Sequence, residues 1–140
     1  MLGGEYRHNL DPKNRIFIPA KLRDELGTTF VVTRALRDNC LKIYSSEEWK
    51  KYLEPLEKLD RRLQEELFRA LHASAIEATP DAQGRIVLQK DLIQHAQLER
   101  EVVIVGCYNY AEIWSETLYE QKKENMDFSK LAKELESLGL

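Results

Sequence analysis

Two arginines, Arg15 and Arg85, each follow an aspartate by four positions, in the stretches DPKNR (11–15) and DAQGR (81–85). An aspartate at this spacing can cap its own turn and hold the guanidinium group in an ion pair. An arginine oriented in this way is also prepared to bind a phosphate or a guanine edge. A single pair would be weak evidence, but two pairs in register, each followed by Ile, indicate a repeated element.

Basic side chains surround the first pair more densely than the second. Residues 1–44 carry eight Lys or Arg against five Asp or Glu, whereas residues 76–115 carry three against six. A polyanion is therefore expected to prefer the first segment. The candidate DNA-binding residues are Arg15, Lys13, Asn14, Arg7, Lys21 and Arg23. Asp11, Asp81, Gly84 and Arg85 are assigned a structural role in the turns. The alternative for the basic residues is that they form an ordinary solvated surface.

Other residues that often carry chemistry form no such pattern. His8, His72 and His95 have no metal-ligand spacing with one another or with Cys40 and Cys107. The chain contains neither a nucleophile elbow nor a glycine-rich phosphate loop. We therefore expect no enzymatic activity, no cofactor or metal and no small-molecule substrate.

The two Asp–Arg pairs belong to an internal duplication with an offset of 70 residues. Between positions 11–45 and 81–115, eight residues are identical, where chance gives roughly two. The chain therefore consists of two copies of one unit rather than a long array of repeats.

Each copy is predicted to contain a strand, a turn, a second strand, a short helix and two further strands. Polar and apolar residues alternate before the first turn, as in a half-buried strand. Asn14 and Gly84 occupy equivalent positions and can both adopt the left-handed conformation, which predicts a short hairpin in each copy. Proline, spaced leucines and a final glycine in PAKLRDELG (19–27) predict the first short helix, and QKDLIQHAQL (89–98) occupies the same place. The fold class is therefore α+β.

Amphipathic helices are predicted after each copy. Ser45 begins a capping box, Pro55 should end the helix that follows, and leucines then recur at helical spacing through residue 72. Apolar residues from Phe128 to Leu138 have the same rhythm. The predicted boundaries are 5–47 for repeat 1, 48–75 for a helical connector, 76–119 for repeat 2 and 120–140 for a C-terminal helix. Such small units rarely bury enough surface alone, so we expect an oligomer.

The overall composition suits an intracellular protein. The chain has 140 residues, 43% of them hydrophobic, and a formal net charge of -3. It has no apolar run of the ~18 residues that a membrane span needs, and its first residues lack the apolar core of a signal peptide. We expect a cytoplasmic location without membrane association.

The sequence resembles the MraZ family of bacterial transcriptional regulators, which are built from two tandem SpoVT/AbrB-type halves. The similarity lies in GGEYRHNLDPKNRIFIPAKLR (3–23), in DAQGRIVLQKDLIQHAQLEREVVIVG (81–106) and in AEIW (111–114). Two positions depart from the family pattern. Asn14 stands where Gly is usual, and Gln89 stands where Pro is usual.

The resemblance implies two AbrB-like swapped-hairpin β units that form one pseudo-symmetric module. It also implies a sequence-specific regulator of the division and cell-wall gene cluster, a closed ring of identical subunits that binds tandem repeats in promoter DNA, and association with the nucleoid. The DNA-contacting role transfers most directly to Arg15, while the second copy is expected to be mainly architectural. The alternative function is an oligomeric protein-interaction scaffold or antitoxin-like module without direct sequence readout.

Overall fold

The computed structural model describes residues 1–140, which form eight β-strands and six α-helices. The strands are β1 Glu5–Asn9, β2 Arg15–Phe17, β3 Phe30–Arg34, β4 Leu41–Ser45, β5 Ile76–Ala78, β6 Arg85–Val87, β7 Glu101–Gly106 and β8 Ala111–Ser115. The helices are α1 Ala20–Leu26, α2 Ser46–Leu53, α3 Arg61–His72, α4 Lys90–Ala96, α5 Glu116–Glu124 and α6 Phe128–Ser137. A 3₁₀ helix, Glu54–Lys58, separates α2 from α3.

Six strands form one sheet in the order β1-β7-β8-β4-β3-β5. Exchanging each strand with its equivalent in the other repeat leaves this order unchanged, so the two halves are related by pseudo-two-fold symmetry. The central contact joins β4 to β8, with Leu41 opposite Ile113. Each repeat also sends its first strand to the other repeat, because β1 pairs with β7 and β5 pairs with β3. The α+β fold with two tandem, interlocked units is thus confirmed.

The local hairpins predicted within each copy are wrong in their strand pairing. The turn between β1 and β2 forms, but β2 pairs with β6 of the other repeat in a separate two-stranded sheet. An isolated hairpin with a three-residue return strand is marginally stable. Pairing across the repeats lets Ile16 and Ile86 meet in the core, where they are 0% and 3% exposed.

The main core lies where the six-stranded sheet, the β2–β6 pair and the short helices α1 and α4 meet. Both repeats contribute equivalent side chains to it, among them Leu22 with Leu92, Ile43 with Ile113 and Ile18 with Leu88. Because each half supplies part of one continuous cluster, neither half has a complete core of its own.

Helices cover the opposite face of the six-stranded sheet. Trp49 of α2 and Leu71 of α3 pack on Val31 and Tyr44, while Tyr119 of α5 packs on a second cluster with Val103 and Trp114. Equivalent serines start the covering helices. The hydroxyl oxygen of Ser45 accepts a hydrogen bond from the Glu48 backbone N–H at 3.1 Å, and that of Ser115 accepts one from Leu118 at 3.1 Å. The first of these agrees with the predicted cap.

The helical segments differ from the predicted ones in two respects. The connector helix begins only at Arg61, capped by Asp60, because Leu56 belongs to the 3₁₀ helix that contains Pro55. The single C-terminal helix expected over 120–140 is instead the end of α5 followed by α6, which Asp127 caps. No residue of α6 is buried, and its apolar stripe is 49% to 74% exposed: Phe128, Leu131, Leu135 and Leu138.

The first four residues are part of the fold. Leu2 is 5% exposed within the main core, and its backbone exchanges two hydrogen bonds with Tyr108 at 2.8 and 2.7 Å. The Gly106 backbone N–H donates to the Gly4 carbonyl at 2.9 Å. The chain from Met1 to Gly4 therefore continues the β1 edge of the sheet.

None of the helices combines the length and apolar character that a membrane-spanning segment requires.

Candidate nucleic-acid interface

The first Asp–Arg turn is organised by the carboxylate of Asp11. Its Oδ1 accepts hydrogen bonds from the backbone N–H groups of Lys13, at 2.9 Å, and Arg15, at 2.8 Å. Its Oδ2 accepts one from Arg15 Nε at 2.6 Å. Asn14, between them, has a φ of 60°, the left-handed conformation that the sequence predicted. One carboxylate thus holds both the turn and the arginine side chain.

The second turn repeats this arrangement. Asp81 accepts hydrogen bonds from the backbone N–H groups of Gln83, at 2.9 Å, and Arg85, at 3.0 Å, and from Arg85 Nε at 3.0 Å. Gly84, with a φ of 81°, takes the place of Asn14. The Asp–Arg spacing therefore encodes the same local geometry twice.

The two aspartates remain ionised at neutral pH. Partial burial opposes ionisation of Asp11, but hydrogen bonds from Arg15 and Lys13 outweigh it and lower the pKa of that carboxyl. For Asp81, the backbone hydrogen bond from Arg85 is the largest cause of its lowered pKa. Each arginine is consequently paired with a permanent negative charge that fixes its orientation.

Each turn is also held by the other repeat. The Gly84 carbonyl accepts a hydrogen bond from the Ile18 backbone N–H at 2.9 Å, and the Asn14 carbonyl accepts one from Leu88 at 2.8 Å. These bonds extend the β2–β6 ladder at both ends. The two turns are therefore rigidly connected parts of one strand pair rather than independent tips.

The exposed side of this strand pair, here called the ribbon face, carries Arg15, Phe17, Arg85 and Val87. Arg15 lies opposite Val87, and Phe17 lies opposite Arg85. Ile16 and Ile86 alternate with them and point into the core, so the other four share the outer side. Both arginines thus lie on one surface, with the exposed Lys13 beside the first.

Both arginines keep donors available for a ligand. A guanidinium group has five N–H donors, and Asp11 and Asp81 engage only the Nε groups. Neither Nη1 nor Nη2 of Arg15 or Arg85 has a hydrogen-bond partner in this structure. Since the Nε bond fixes the side chain, the free edge is ready for two-point binding to a phosphate or to guanine O6 and N7.

Comparison with known proteins agrees with this architecture. A family model described as "MraZ protein, putative antitoxin-like" matches residues 1–68 and again 71–138. Proteins named transcriptional regulator MraZ are similar over the full length of both chains: 43% identical in Thermoanaerobacter sp. strain X514, 40% in Caldanaerobacter subterraneus and 38% in Clostridium tetani. The chain belongs to the MraZ family.

Membership of the MraZ family confirms the resemblance seen in the sequence and makes this chain a transcription regulator rather than an enzyme. No group of three or more His, Cys, Asp or Glu is placed to hold a metal ion. Burial raises the pKa of the Cys107 thiol to about 11 and raises that of Cys40 further, so both remain protonated at neutral pH.

Arg23 lies against the second turn, not the first. Its Nε donates to the Ile18 carbonyl at 2.8 Å, and its guanidinium lies 5.5 Å from the centre of the Phe17 ring. A Cβ atom at Gly84 would lie 2.9 Å from both Arg23 Cζ and Phe17 Cε1. This crowding explains why the second turn has glycine while the first, whose equivalent neighbours are Val87 and Ile93, accepts asparagine.

Arg7 and Lys21 lie away from the ribbon face. The candidate Arg7 does not lie beside Arg15, because β1 pairs with β7 rather than β2. Arg7 instead forms ion pairs with the carboxylates of Glu5, Glu116 and Glu120 at 3.4, 3.5 and 2.6 Å. These ion pairs connect α5 to β1. The neighbouring carboxylates offset the positive charge of Arg7, so this site attracts a polyanion only weakly. Lys21 is exposed on α1, beside the first residues of the chain.

Two residues of the ribbon face, Phe17 and Val87, were absent from the candidates chosen from the sequence. Both are apolar residues of the return strands. The alternation of side chains along a strand could have identified them. Each lies two residues after an arginine and must therefore share the arginine's side of the strand. Only the pairing of β2 with β6 shows that this side is exposed.

Proposed function

We propose that this MraZ family member is a sequence-specific DNA-binding transcriptional regulator that uses the ribbon face to contact double-stranded promoter DNA. The observation that supports it is the pair of Asp-held arginines with free Nη groups on one exposed strand pair. A two-stranded ribbon fits the major groove of B-DNA, and Arg, Lys and Asn are the side chains that bind base edges and phosphates there.

Within the interface, we assign the leading role to the first turn. Arg15 would bind a guanine edge or a phosphate, supported by Lys13 and Asn14 on the same turn. Arg23 lies close enough to the second turn to contribute a phosphate contact, and Lys21 would act only at long range. Arg7 is omitted because three carboxylates neutralise it. Arg85, which has no lysine beside it, would contribute less than Arg15.

The proposed target is the division and cell-wall gene cluster, whose promoter carries tandem repeats, and the proposed location is the nucleoid. Family membership supports this part of the proposal. Several ribbon faces in one assembly could engage successive DNA repeats, so that modest individual affinities add up through multivalency.

The proposed assembly is a closed ring of identical chains, and the exposed stripe of α6 supports self-association. Three apolar side chains of the ten-residue helix and Leu138 at its C-cap are 49% to 74% exposed along one side, although apolar stripes normally face a core. A contact between this stripe and a different surface of the next chain would be heterologous, and such contacts form rings when the rotation closes.

Replacing Leu131 and Leu135 by lysine is expected to dissociate the assembly. Both leucines are about half exposed in the single chain, and burying a leucine contributes about 1.5–3 kcal/mol, so the dissociation constant should rise more than tenfold. Analytical ultracentrifugation measures the mass. The control Ser129→Lys with Ser137→Lys adds the same charge to the opposite side of α6 and should leave the mass unchanged. Equal masses for both double variants would exclude α6 from the interface.

Selection of binding sites from random duplex DNA tests the proposed function directly. Wild-type protein should enrich one sequence, and its affinity should fall steeply with salt, by roughly 40-fold between 50 and 200 mM for about three phosphate contacts. Retention on heparin at moderate salt gives a rapid preliminary result. A chain that passes through heparin and enriches no sequence would instead be the protein-interaction scaffold or antitoxin-like module.

A further inference from the structure

We propose that Val87 reads the methyl group of a thymine next to the base pair bound by Arg15. This inference rests on the proposed DNA-binding function and adds a source of specificity to it. Thymine is the only DNA base with a methyl group in the major groove, and proteins recognise that group through apolar contacts.

The exposure of Val87 is unusual within this fold. Its side chain is 58% exposed, and it is the only large apolar residue in any β-strand that is exposed to this degree. It lies directly opposite Arg15 in the β2–β6 register. Side chains in such cross-strand pairs are about 5 Å apart at Cβ, which is comparable to the spacing of about 3.4 Å between successive base pairs.

The equivalent position in the first repeat shows what a covered apolar residue looks like here. Phe17 is half-buried, with the His8 ring centre 5.1 Å from its own and Arg23 packed over it. The positions equivalent to His8 and Arg23 in the second repeat are Ala78 and Ile93. Ala78 is too short to cover the valine, and Ile93 packs against the main core. The two halves of the ribbon face therefore differ in a way that leaves only Val87 open.

The chemistry of the three neighbouring groups is complementary to a mixed base sequence. The free Nη groups of Arg15 match the acceptors of guanine, and the methyl groups of Val87 match thymine. The second free arginine, Arg85, lies two residues before Val87 on the same strand. An arginine on each side orients the strand pair through charge, and the valine discriminates between pyrimidines without any hydrogen bond.

The test combines protein variants with a thymine-to-uracil change in the DNA, because uracil lacks only the methyl group. A duplex with a single selected site is titrated by fluorescence anisotropy against wild-type protein, Val87→Ala and Val87→Thr. The threonine variant keeps β-branching and strand propensity, so it controls for damage to the ribbon. Leu36→Ala, which shortens a side chain that is 52% exposed but outside the ribbon face, is the matched surface control.

Replacing one particular thymine by uracil should weaken wild-type binding roughly fourfold, as expected for one buried methyl group. The same replacement should have no effect on Val87→Ala, whose affinity for the thymine duplex is already reduced, while Leu36→Ala should respond like wild type. The inference is overturned if Val87→Ala binds the thymine duplex as tightly as wild-type protein does and if each thymine-to-uracil replacement changes its affinity by the same factor as for wild-type protein. If wild-type protein selects no DNA sequence at all, the proposed function and this inference fail together.

Discussion

Arg15→Ala should lose most of its affinity for a selected DNA site, by roughly 30-fold for each site, while the fold and the assembly remain intact. A two-point arginine contact to a base contributes about 1–3 kcal/mol to discrimination. The fold should survive because Asp11 still accepts hydrogen bonds from two backbone N–H groups and because the core partner of β2 is Ile16, not Arg15. Anisotropy titration measures the affinity, and analytical ultracentrifugation measures the mass.

Two companion variants separate charge from geometry at this position. Arg15→Lys keeps the charge but loses both the Nε bond to Asp11 and the paired Nη donors, so it should recover only the salt-dependent part of the affinity. Arg85→Ala removes the equivalent side chain from the second turn, where Gln83 replaces Lys13, and should cost less than Arg15→Ala. An unchanged affinity in Arg15→Ala, with the protein folded, would contradict the assignment, and equal losses in the two alanine variants would show that both turns contribute alike.

Gly106→Ala should destabilise the protein more than any other small change outside the main core. A Cβ at this position would touch the Gly3 backbone, 2.6 Å from Cα and 2.7 Å from the carbonyl carbon as well as against the nitrogen. A backbone cannot rotate away, so the chain from Met1 to Gly4 must leave the sheet edge. That movement removes the paired hydrogen bonds between Leu2 and Tyr108 and exposes Leu2. The free energy of unfolding should fall by about 2–4 kcal/mol.

Thermal unfolding followed by circular dichroism measures this change, which corresponds to a melting temperature lower by roughly 10 °C. Gly3→Ala is the matched control, because its Cβ would meet only the Met1 side chain, at 3.4 Å. It introduces the same methyl group at the same junction from the other strand. A melting temperature for Gly106→Ala equal to that of Gly3→Ala would show that the close approach of the two glycines does not limit the stability of the fold.

The asymmetry between the repeats is concentrated at the turns and their neighbours. The turns share one hydrogen-bonding scheme, yet the first has Lys13 and the second has a glycine under Arg23 and Phe17. Burial of Ile16 and Ile86 is nearly equal, so the symmetric part of the duplication is the core. Because the exposed positions have diverged, the strand pair has two chemically different edges.

Local patterns in the sequence predicted local features correctly. The left-handed residues Asn14 and Gly84, the Asp–Arg bonds and the Ser45 cap all involve groups within five residues of one another. Interactions at such short range depend on residue types and spacing alone. The family was also recognisable, because the duplicated motif preserves order and spacing in both halves.

Partners distant in the sequence could not be predicted in the same way. The alternation in β1 is equally compatible with β2, its neighbour in sequence, and with β7, its partner almost a hundred residues away. The contact of Arg7 with Glu120 follows from the pairing of β1 with β7. The position of Arg23 beside Gly84 and the exposure of Val87 follow from the pairing of β2 with β6. None of them has a signature at the residue itself.

The sequence by itself therefore determined the two turns, the paired arginines, the elements of each repeat and the family. The tertiary structure alone decided that the return strands of both repeats join into a single ribbon, which places Arg15, Arg85 and Val87 on one exposed side. The physical reason is that turn geometry is set by hydrogen bonds within a few residues, whereas strand pairing is set by which apolar sides can be buried together. Here only the exchange between repeats buries Ile16 against Ile86.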